Sequence, residues 1–368
     1  MVDPERVLVV NAGSSSLKLA VVDEQDRSEE LRLERWDGSG GQDAVRDLLA
    51  RAGPVQAVGH RVVHGGPGRD GPALVDDALL AELEALTPLA PLHQPAALAG
   101  LRAARELLPD LPAVACFDTA FHAGLPAAAS TYALPGEWNQ RFGLRRYGFH
   151  RLSHAWASRR AAEVVGRPVE ELRVVSCHLG AGASLCAVVG GRSVDTTMGF
   201  TPLEGLVMAT RSGSVDPGLL LWLLRSGGVP VDELANVLEH RSGLAGLSGT
   251  SGDLRDVLDA ADGGDEAAGL AYDVLLHRLV GSVGAMSAAA GGLDVLVLTG
   301  GIGERSARLR ADLVPRLAHL GLALDPALGE GSDDRDLSAA GAQARTVVVA
   351  SREDLQVARE VRTLLTAP

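Results

Sequence analysis

The run VLVVNAGSSSLKLAVV, residues 7–22, reads as two apolar strands joined by a turn of small residues. The same design returns near mid-chain as VVSCHLGAGASLCAVV, residues 174–189. With Gly13 laid on Gly180, both read apolar strand, small-residue turn, apolar strand, with one residue of slip after the turn. Two such hairpins predict a duplicated design: two α/β domains of common topology facing one cleft. The rest of the chain agrees. AVGHRVVHGG and LPAVACFDTAF read as strands running into polar or glycine-rich ends, and DVLVLTGGIGERSARLRADLVPRL reads as strand, glycine-rich turn and helix. DDALLAELEAL, PAALAGLRAARELL and HAWASRRAAEVVG show helical spacing, the last ending at Gly166 as a C-cap. ARTVVVASREDLQVAREVRTLL supplies a last strand and a closing helix. Strands alternating with helices predict mixed sheets covered by helices.

The bulk numbers set limits. At 368 residues the chain is too long for one ordinary core. Hydrophobic content of 46% and charged content of 22% place it among globular proteins. No apolar run is long enough to span a bilayer, and the N-terminus goes straight into a strand, so a soluble, cytoplasmic protein is expected. A net charge of −13 argues against nucleic acid or an anionic membrane as partner, yet leaves room for a small anionic substrate held by local arginines. Cys116, Cys177 and Cys186 lie in apolar surroundings without CxxC spacing and read as buried thiols. No HExxH or similar histidine spacing occurs, which argues against a zinc site.

Lys18 is the only lysine in the chain; every other side-chain cation is arginine or histidine. It follows a turn of Gly13, Ser14, Ser15 and Ser16, and a tight turn of small residues exposes backbone N–H groups that make a nest for phosphate oxygens. A compact ammonium beside such a turn serves as a point charge next to a phosphate, which a guanidinium fork does less well. The GxxxxGK[ST] spacing of a Walker A loop is absent. TGGIGERS, from Thr299, is a third glycine-rich turn, with the following helix offering its N-terminus to an anion. Three such turns after strands point to nucleotide polyphosphate binding.

NAGSSSLK, GHRVVHGG, LAPLH, FDTAFH, YGFH, CHLGAGAS, SVDTTMGFTPLEGL, TRSG, SGLAGLSG, DLRD and GGIGE occur in that order between Val7 and about Glu353. Together they resemble the acetate kinase family, acyl-phosphate-forming kinases of the actin, Hsp70 and sugar-kinase superfamily. FDTAFH, DTTMGFTPLEG and TRSG are long, specific strings. The resemblance implies two duplicated ribonuclease-H-like domains flanking a catalytic cleft. The boundaries expected are 1–119 with the closing helix 355–368, on the acyl and phosphate side, and 120–354 on the nucleotide side. It also implies ATP/ADP as co-substrate, Mg²⁺ with Mn²⁺ as a substitute, acetate or another short-chain carboxylate as acceptor, and a homodimer.

The resemblance also assigns roles. Arg61 and Arg211 fork onto a carboxylate or the transferring phosphoryl group, Asp118 holds the metal or orients an arginine, and His150 donates to the phosphoryl oxygens. Asn11, Ser14, Ser16 and Lys18 line the first phosphate turn; His178, Gly180 and Gly182 line the second. Asp253, Leu254 and Arg255 lie against the nucleoside together with Gly300, Gly301, Ile302 and Gly303. Val63, Leu92, Phe149 and Pro202 form the apolar pocket for the alkyl end. Asn11 and Glu353 are the metal-associated pair. His93 and His122 sit in similar motifs, where a core or surface histidine is as good a reading.

The chain departs from the family pattern at several of these places. HLGNGAS is HLGAGAS here, with Ala181 for asparagine, and YGFHGTSH is YGFHRLSH, with Arg151 and Leu152 for small residues. LAPLHNP is LAPLHQP with Gln94, TRSGD is TRSGS with Ser214, and TNEE is SRED. The segment between Asp23 and Gly59 is short. The expected function is reversible transfer of the ATP γ-phosphoryl group to acetate by direct in-line attack, with Arg61 and Arg211 assembled by domain closure. The alternatives are a propionate or other short-chain acyl kinase, and a nucleotide-binding paralogue with little turnover that acts through a partner.

Overall fold

The computed structural model describes residues 4–13, 16–34, 36, 41–91, 93–328, 331 and 333–367. Ser14 and Leu92, expected in the first phosphate turn and the alkyl pocket, lie outside the described residues. The chain divides into two compact units. The first takes the described residues of Met1–Gly124, Phe149–Trp156 and Arg352–Pro368, and the second takes Leu125–Gly148 and Ala157–Ser351.

The first unit holds β1 (Val7–Ala12), β2 (Ser16–Val22), β3 (Ser28–Glu34), β4 (Ala57–Val62), β5 (Ala73–Leu74) and β6 (Ala113–Phe117). They form one sheet in the order β3-β2-β1-β4-β6-β5. β1 runs antiparallel to β2 and β2 to β3, whereas β1, β4 and β6 are parallel neighbours. Parallel neighbours need crossovers, which the helices Gly41–Ala52 before β4 and Asp77–Ala85 and Gln94–Leu107 before β6 supply. Both faces of the sheet are covered, which is why β6 and β1 as far as Val10 read as apolar runs. Leu8, Val10, Leu17 and Leu19 pack with Trp36, Val45 and Leu48 on one face. Val7, Val9, Ala20, Val114 and Cys116 pack with Leu152, Leu355, Val357 and Val361 on the other. Gly59 on β4 admits this second layer: a Cβ there would lie 2.5 Å from Val357 Cγ1 and 2.8 Å from Val361 Cγ2.

The second unit repeats the plan. Its strands are β7 (Arg173–Leu179), β8 (Ala183–Val189), β9 (Arg192–Thr196), β10 (Val295–Thr299), β11 (Arg335–Asp336) and β12 (Arg345–Val348), in the order β9-β8-β7-β10-β12-β11. Again the first hairpin is antiparallel and the next two neighbours are parallel. The duplication expected from the two hairpins is therefore present strand for strand. Its one-residue slip has a local cause. Between paired Ala12 and Leu17 lie four residues, closed by Gly13 N–H donating to Ser16 O at 2.8 Å. Between paired Leu179 and Ala183 lie three, closed by Gly180 N–H to Gly182 O at 3.1 Å. Gly166 takes the left-handed conformation expected of a C-cap, with φ 68°. One element differs. GGIGER is not a turn before a helix but a short helix, Gly300–Arg305, ending at Ser306, which caps the helix Ala307–Arg316. All three cysteines are buried and free, and among the described residues no helix is long and apolar enough to cross a membrane.

His60 on β4 is fully buried and neither ring nitrogen has a hydrogen-bond partner. Burial drives its pKa from 6.5 to about 3, so it is neutral in the fold. The unfolded chain takes up this proton near pH 6.5 and the folded chain does not, so stability falls as pH drops from about 6.5 toward 3. His60→Leu is expected to raise the unfolding free energy by roughly 1–3 kcal/mol at neutral pH. It should also flatten the acid slope between pH 6 and 4 by about 1.4 kcal/mol per pH unit. Urea unfolding at a series of pH values measures both, and an unchanged slope refutes the assignment.

Candidate active site

In the first unit the alternation that buries the lower sheet carries polar residues to the C-terminal strand ends, where ligands bind in open α/β sheets. Along β1 the face reads Val7, Val9, Asn11; along β4 it reads Ala57, Gly59, Arg61; just past β6 it ends in Asp118. Lys18 on β2 pairs with Asn11 in register and is exposed. Arg61 is the hub. Its Nε donates to Asp118 Oδ1 at 3.2 Å and Oδ2 at 3.0 Å, and its Nη2 to Oδ2 at 2.6 Å. Its Nη1 donates to Asn11 Oδ1 at 3.1 Å. Glu353, first residue of the helix Glu353–Thr366, accepts from Asn11 Nδ2 at 3.3 Å and lies 3.9 Å from Arg61 Nε.

Burial works against the Arg61 charge, but the carboxylates of Asp118 and Glu353 outweigh it and raise its pKa. Burial lifts the Asp118 carboxyl, and the Arg61 guanidinium opposes it. Among the described residues no three His, Cys, Asp or Glu side chains converge to hold a metal ion. The oxygens of Asn11, Asp118 and Glu353 do gather around Arg61 at the rim. That donor set fits a magnesium-like cation, which takes one or two carboxylates and completes its shell with water and phosphate.

His150 has φ 59°, a left-handed conformation rare for a residue with a Cβ and worth roughly 1–3 kcal/mol of strain. The neighbouring chain over-determines it. His154 N–H donates to His150 O at 2.9 Å, and Arg151 N–H donates to Asp118 O at 3.1 Å. His122 Nε2 lies 3.0 Å from Phe149 O. Burial holds His122 neutral, with its pKa lowered to about 4, so this ring is a structural bracket for the residue before His150. Val63 and Phe149 are both buried, and the ring of Phe149 lies 6.0 Å from that of His64. His93 immediately precedes the helix Gln94–Leu107.

Gln94, in sequence only a departure from the family pattern, clamps this loop. Fully buried, it accepts from His64 N–H at 3.2 Å and donates to His64 O at 3.0 Å and Leu83 O at 3.2 Å. Leu152 is buried in the core beneath β1. Arg151 is buried as well and pairs with Glu360 on the closing helix at 3.3 Å. Gln356 donates to the same Glu360 oxygen at 2.8 Å. Sequence reasoning misses Glu360, although a Gln and a Glu four residues apart on the apolar stripe of a helix are the signal.

In the second unit Arg211 Nη1 donates to Pro202 O at 3.1 Å and lies 3.7 Å from Met208 Sδ. Burial lowers its pKa. The SGLAGLSG segment clamps its loop: Ser242 N–H donates to Thr210 O, Leu244 N–H to Met208 O and Ala245 N–H to Ala209 O, each at 2.9 Å. Gly243, at φ 63°, is required there, because a Cβ would meet Met208 O at 2.2 Å and Arg211 O at 2.7 Å. Ser214 stands for an acid, and its Oγ accepts from Gly205 N–H at 3.0 Å. Ala181 has no side-chain donor, but its carbonyl accepts from Ala209 N–H at 3.1 Å.

His178 pairs with Ser184 and Thr299 across β7. Gly180 and Ile302 line one narrow apolar crevice together with Met208 and Ala209. Gly300, at φ 78°, presses on β7, with its Cβ position 2.7 Å from Leu179 O. Gly301 is open, whereas Gly303 abuts Leu298. Asp253 caps the helix Leu254–Asp262 and pairs with Arg255 at 2.6 Å. The Arg255 hydrogen bonds pull the Asp253 pKa to about 2. Leu254 is buried. Ser16 opens β2, and Gly182 closes the second turn.

Removing Arg151 alone leaves Glu360 buried without its counter-charge. Arg151→Leu is therefore expected to cost roughly 3–5 kcal/mol, while Arg151→Leu with Glu360→Leu is expected to be neutral or stabilising. Thermal and urea unfolding of the two variants test this. A double variant as unstable as the single one refutes the pairing.

Comparison with known proteins agrees with this architecture. Residues 41–359 match the model of the acetokinase family. The acetate kinase of Synechococcus sp. (strain JA-2-3B'a(2-13)) is 50% identical over 331 residues, covering 90% of this chain and 80% of its own. The crystal structure of Porphyromonas gingivalis acetate kinase superposes with a TM-score of 0.89 at 34% identity, covering 98% of this chain and 100% of that one. A propionate kinase from Francisella tularensis gives 0.89 at 35% identity, covering 97% and 98%. With a family model matched over most of its length and half its aligned residues shared with a curated relative, the chain belongs to the acetokinase family of ATP-dependent carboxylate kinases.

Proposed function

We propose that this protein is an acetate kinase, transferring the γ-phosphoryl group of ATP to acetate and, in reverse, from acetyl phosphate to ADP. One observation carries the reading of the site. The buried carboxylate at the rim, Asp118, has both oxygens forked by Arg61, so it is turned to the guanidinium and is not placed as a base for an acceptor hydroxyl. A kinase acting on a hydroxyl needs a base there. A carboxylic acid with a pKa near 4 is already ionised at neutral pH and brings its own nucleophile. A carboxylate oxygen attacks the γ-phosphorus in line, the bond to the β–γ bridging oxygen breaks, and ADP leaves with that electron pair; no proton moves.

Such a transfer depends on positioning and charge neutralisation. In this reading Arg61 and Arg211 each fork onto the acceptor carboxylate or the equatorial phosphoryl oxygens, and His150 donates to the same oxygens. The strain at His150 supports that role, because a left-handed histidine persists where the surroundings hold it for a purpose. Asn11, Asp118 and Glu353 would hold Mg²⁺, which when bound neutralises charge on the β- and γ-phosphates. Lys18, Ser16 and the Gly180–Gly182 turn serve the phosphates, with His178 beside that turn. Gly301 and Ile302, with Asp253 and Arg255, serve the nucleoside. Val63, Phe149 and Pro202 shield the alkyl end.

The Francisella tularensis propionate kinase match supports a second reading, a propionate kinase. One methylene is worth only about 1–3 kcal/mol of discrimination, so the two activities overlap. A cytoplasmic homodimer completes the proposal. Leu219, Leu221 and Trp222, exposed on the helix Pro217–Arg225, support association with a second copy.

Acyl-phosphate formation trapped as the hydroxamate, with Mg-ATP and formate, acetate, propionate or butyrate, is expected to peak at acetate. A peak at propionate moves the second reading forward, and no product with any acid refutes both. Arg211→Lys should lower kcat by roughly 10²-fold or more with the fold retained, since an ammonium cannot reproduce the fork. Unchanged turnover removes Arg211 from the mechanism. Lys18→Arg is expected to raise the KM for ATP, and an unaltered KM makes the lone lysine an accident of composition.

A further inference from the structure

Within the second unit a cavity of about 580 Å³ opens behind the Arg211 loop. Its walls come from that loop, from residues 241–247 and from the helix Glu266–Ala289. The volume falls in the range of small-molecule sites and is far larger than a single phosphate needs. Three arginines line it, and they differ in kind. Arg146 is fully engaged: its Nη1 donates to the carbonyls of Thr196, Thr197 and Met198 at 3.1–3.2 Å, and its Nη2 pairs with Glu204 at 2.8 Å. Arg241 and Arg278 have no side-chain partner among the described residues. Hydroxyls of Ser212, Ser214, Ser242 and Ser282 share the cavity.

Two uncommitted guanidinium forks lining one cavity can each take an anionic group. The anion contacts fall to these arginines, because the hydroxyls of Ser212, Ser242 and Ser282 already donate to the carbonyls of Gly213, Val237 and Arg278. Asp195 on the wall adds an acceptor that suits a hydroxyl on the guest. The cavity is also joined to Arg211 through the backbone. Ser212 and Ser214 follow Arg211 closely in the chain. Ser242 N–H holds Thr210 O, and Gly243 packs so close to the Arg211 carbonyl that a Cβ would not fit between them. A guest that draws Arg241 and the Ser212–Ser214 segment together therefore acts on the backbone that aims the Arg211 fork.

We propose that this cavity is a regulatory site for a small organic dianion, a dicarboxylate or a phosphate monoester, held by Arg241 and Arg278 and changing turnover through the Arg211 loop. The effect on turnover rests on the role proposed above for Arg211; the binding does not. The test is isothermal titration calorimetry on the full chain without nucleotide or acetate, using succinate in one arm and glycerol 3-phosphate in the other, at fixed ionic strength. At least one probe is expected to bind saturably at one per chain with a Kd below about 1 mM. Arg241→Gln with Arg278→Gln should weaken that binding at least tenfold while leaving basal kcat and both KM values unchanged.

In the wild-type enzyme the same probe should change kcat at saturating substrates, and the double variant should lose that response. Absence of saturable heat from both probes overturns the site. Binding that survives the double substitution, or that acetate displaces competitively, places the anion elsewhere and also overturns it. Binding through these arginines without any change in kcat overturns the regulatory part alone. A hydroxamate assay that fails for every acid counts against the proposed function and leaves the calorimetry to decide the site.

Discussion

The fork of Arg61 on Asp118 is the constraint around which the first unit is arranged. Asp118 is 1% exposed, and a carboxylate that deep without a counter-charge costs several kcal/mol. The guanidinium that answers it joins β4 to Asn11 at the end of β1 and to Glu353 at the start of the closing helix. Residues separated by up to 342 positions thus share one hydrogen-bonded cluster. It forms only if β1, β4 and β6 end at the same level of the sheet, so strand register and site geometry are fixed together. Beneath it the packing is apolar and tight, and Gly59 lets the closing helix approach closely enough to bring Glu353 to the rim.

The duplicated sheet shows how one topology supports two kinds of rim. In the first unit the four-residue hairpin and the polar strand ends gather the charges of Lys18, Arg61 and Asp118 around the Asn11 amide. In the second, the three-residue turn of Gly180, Ala181 and Gly182 carries no polar side chain; Ala209 N–H holds Ala181 O, and Gly300 packs against Leu179 just before the turn. The difference is one residue of loop length and the side chains carried on and just past the strands, set on the same strand order.

Much of this is legible in the sequence because its causes are local. Period-two apolar runs mark the strands, glycine after an apolar run marks the turns, and the paired hairpins mark the duplication. Arg61 and Asp118 stand out because a charge that closes an apolar strand cannot enter the core alone and must meet an opposite charge or a ligand. What stays hidden depends on partners distant in sequence. Nothing near Gln94 announces that it brackets His64, and nothing near Glu360 announces Arg151. The left-handed backbone at His150 is held by bonds to Asp118 and His154, with no glycine at that position to signal it. GGIGER reads as a turn because glycines suggest one; contact of Gly300 with Leu179 lets the helix begin at once.

The departures from the family pattern can be sorted by what each one touches. Arg151 introduces a buried cation, and Glu360 with Gln356 answers it. Leu152 fills apolar space under β1. Gln94 makes three bonds that hold the loop carrying His64. Ser214 still offers an oxygen to Gly205 N–H, and at Ala181 the backbone carbonyl remains in use. None of these replaces a member of the Arg61 cluster or the Arg211 fork. The changes fall on groups that support the charged residues and each finds a partner there, whereas a change to Arg61 or Asp118 would leave its opposite charge buried alone. That asymmetry lets the scaffold of this chain vary while the charged residues proposed to meet phosphate and carboxylate, Arg61 and Arg211 among them, stay as they are.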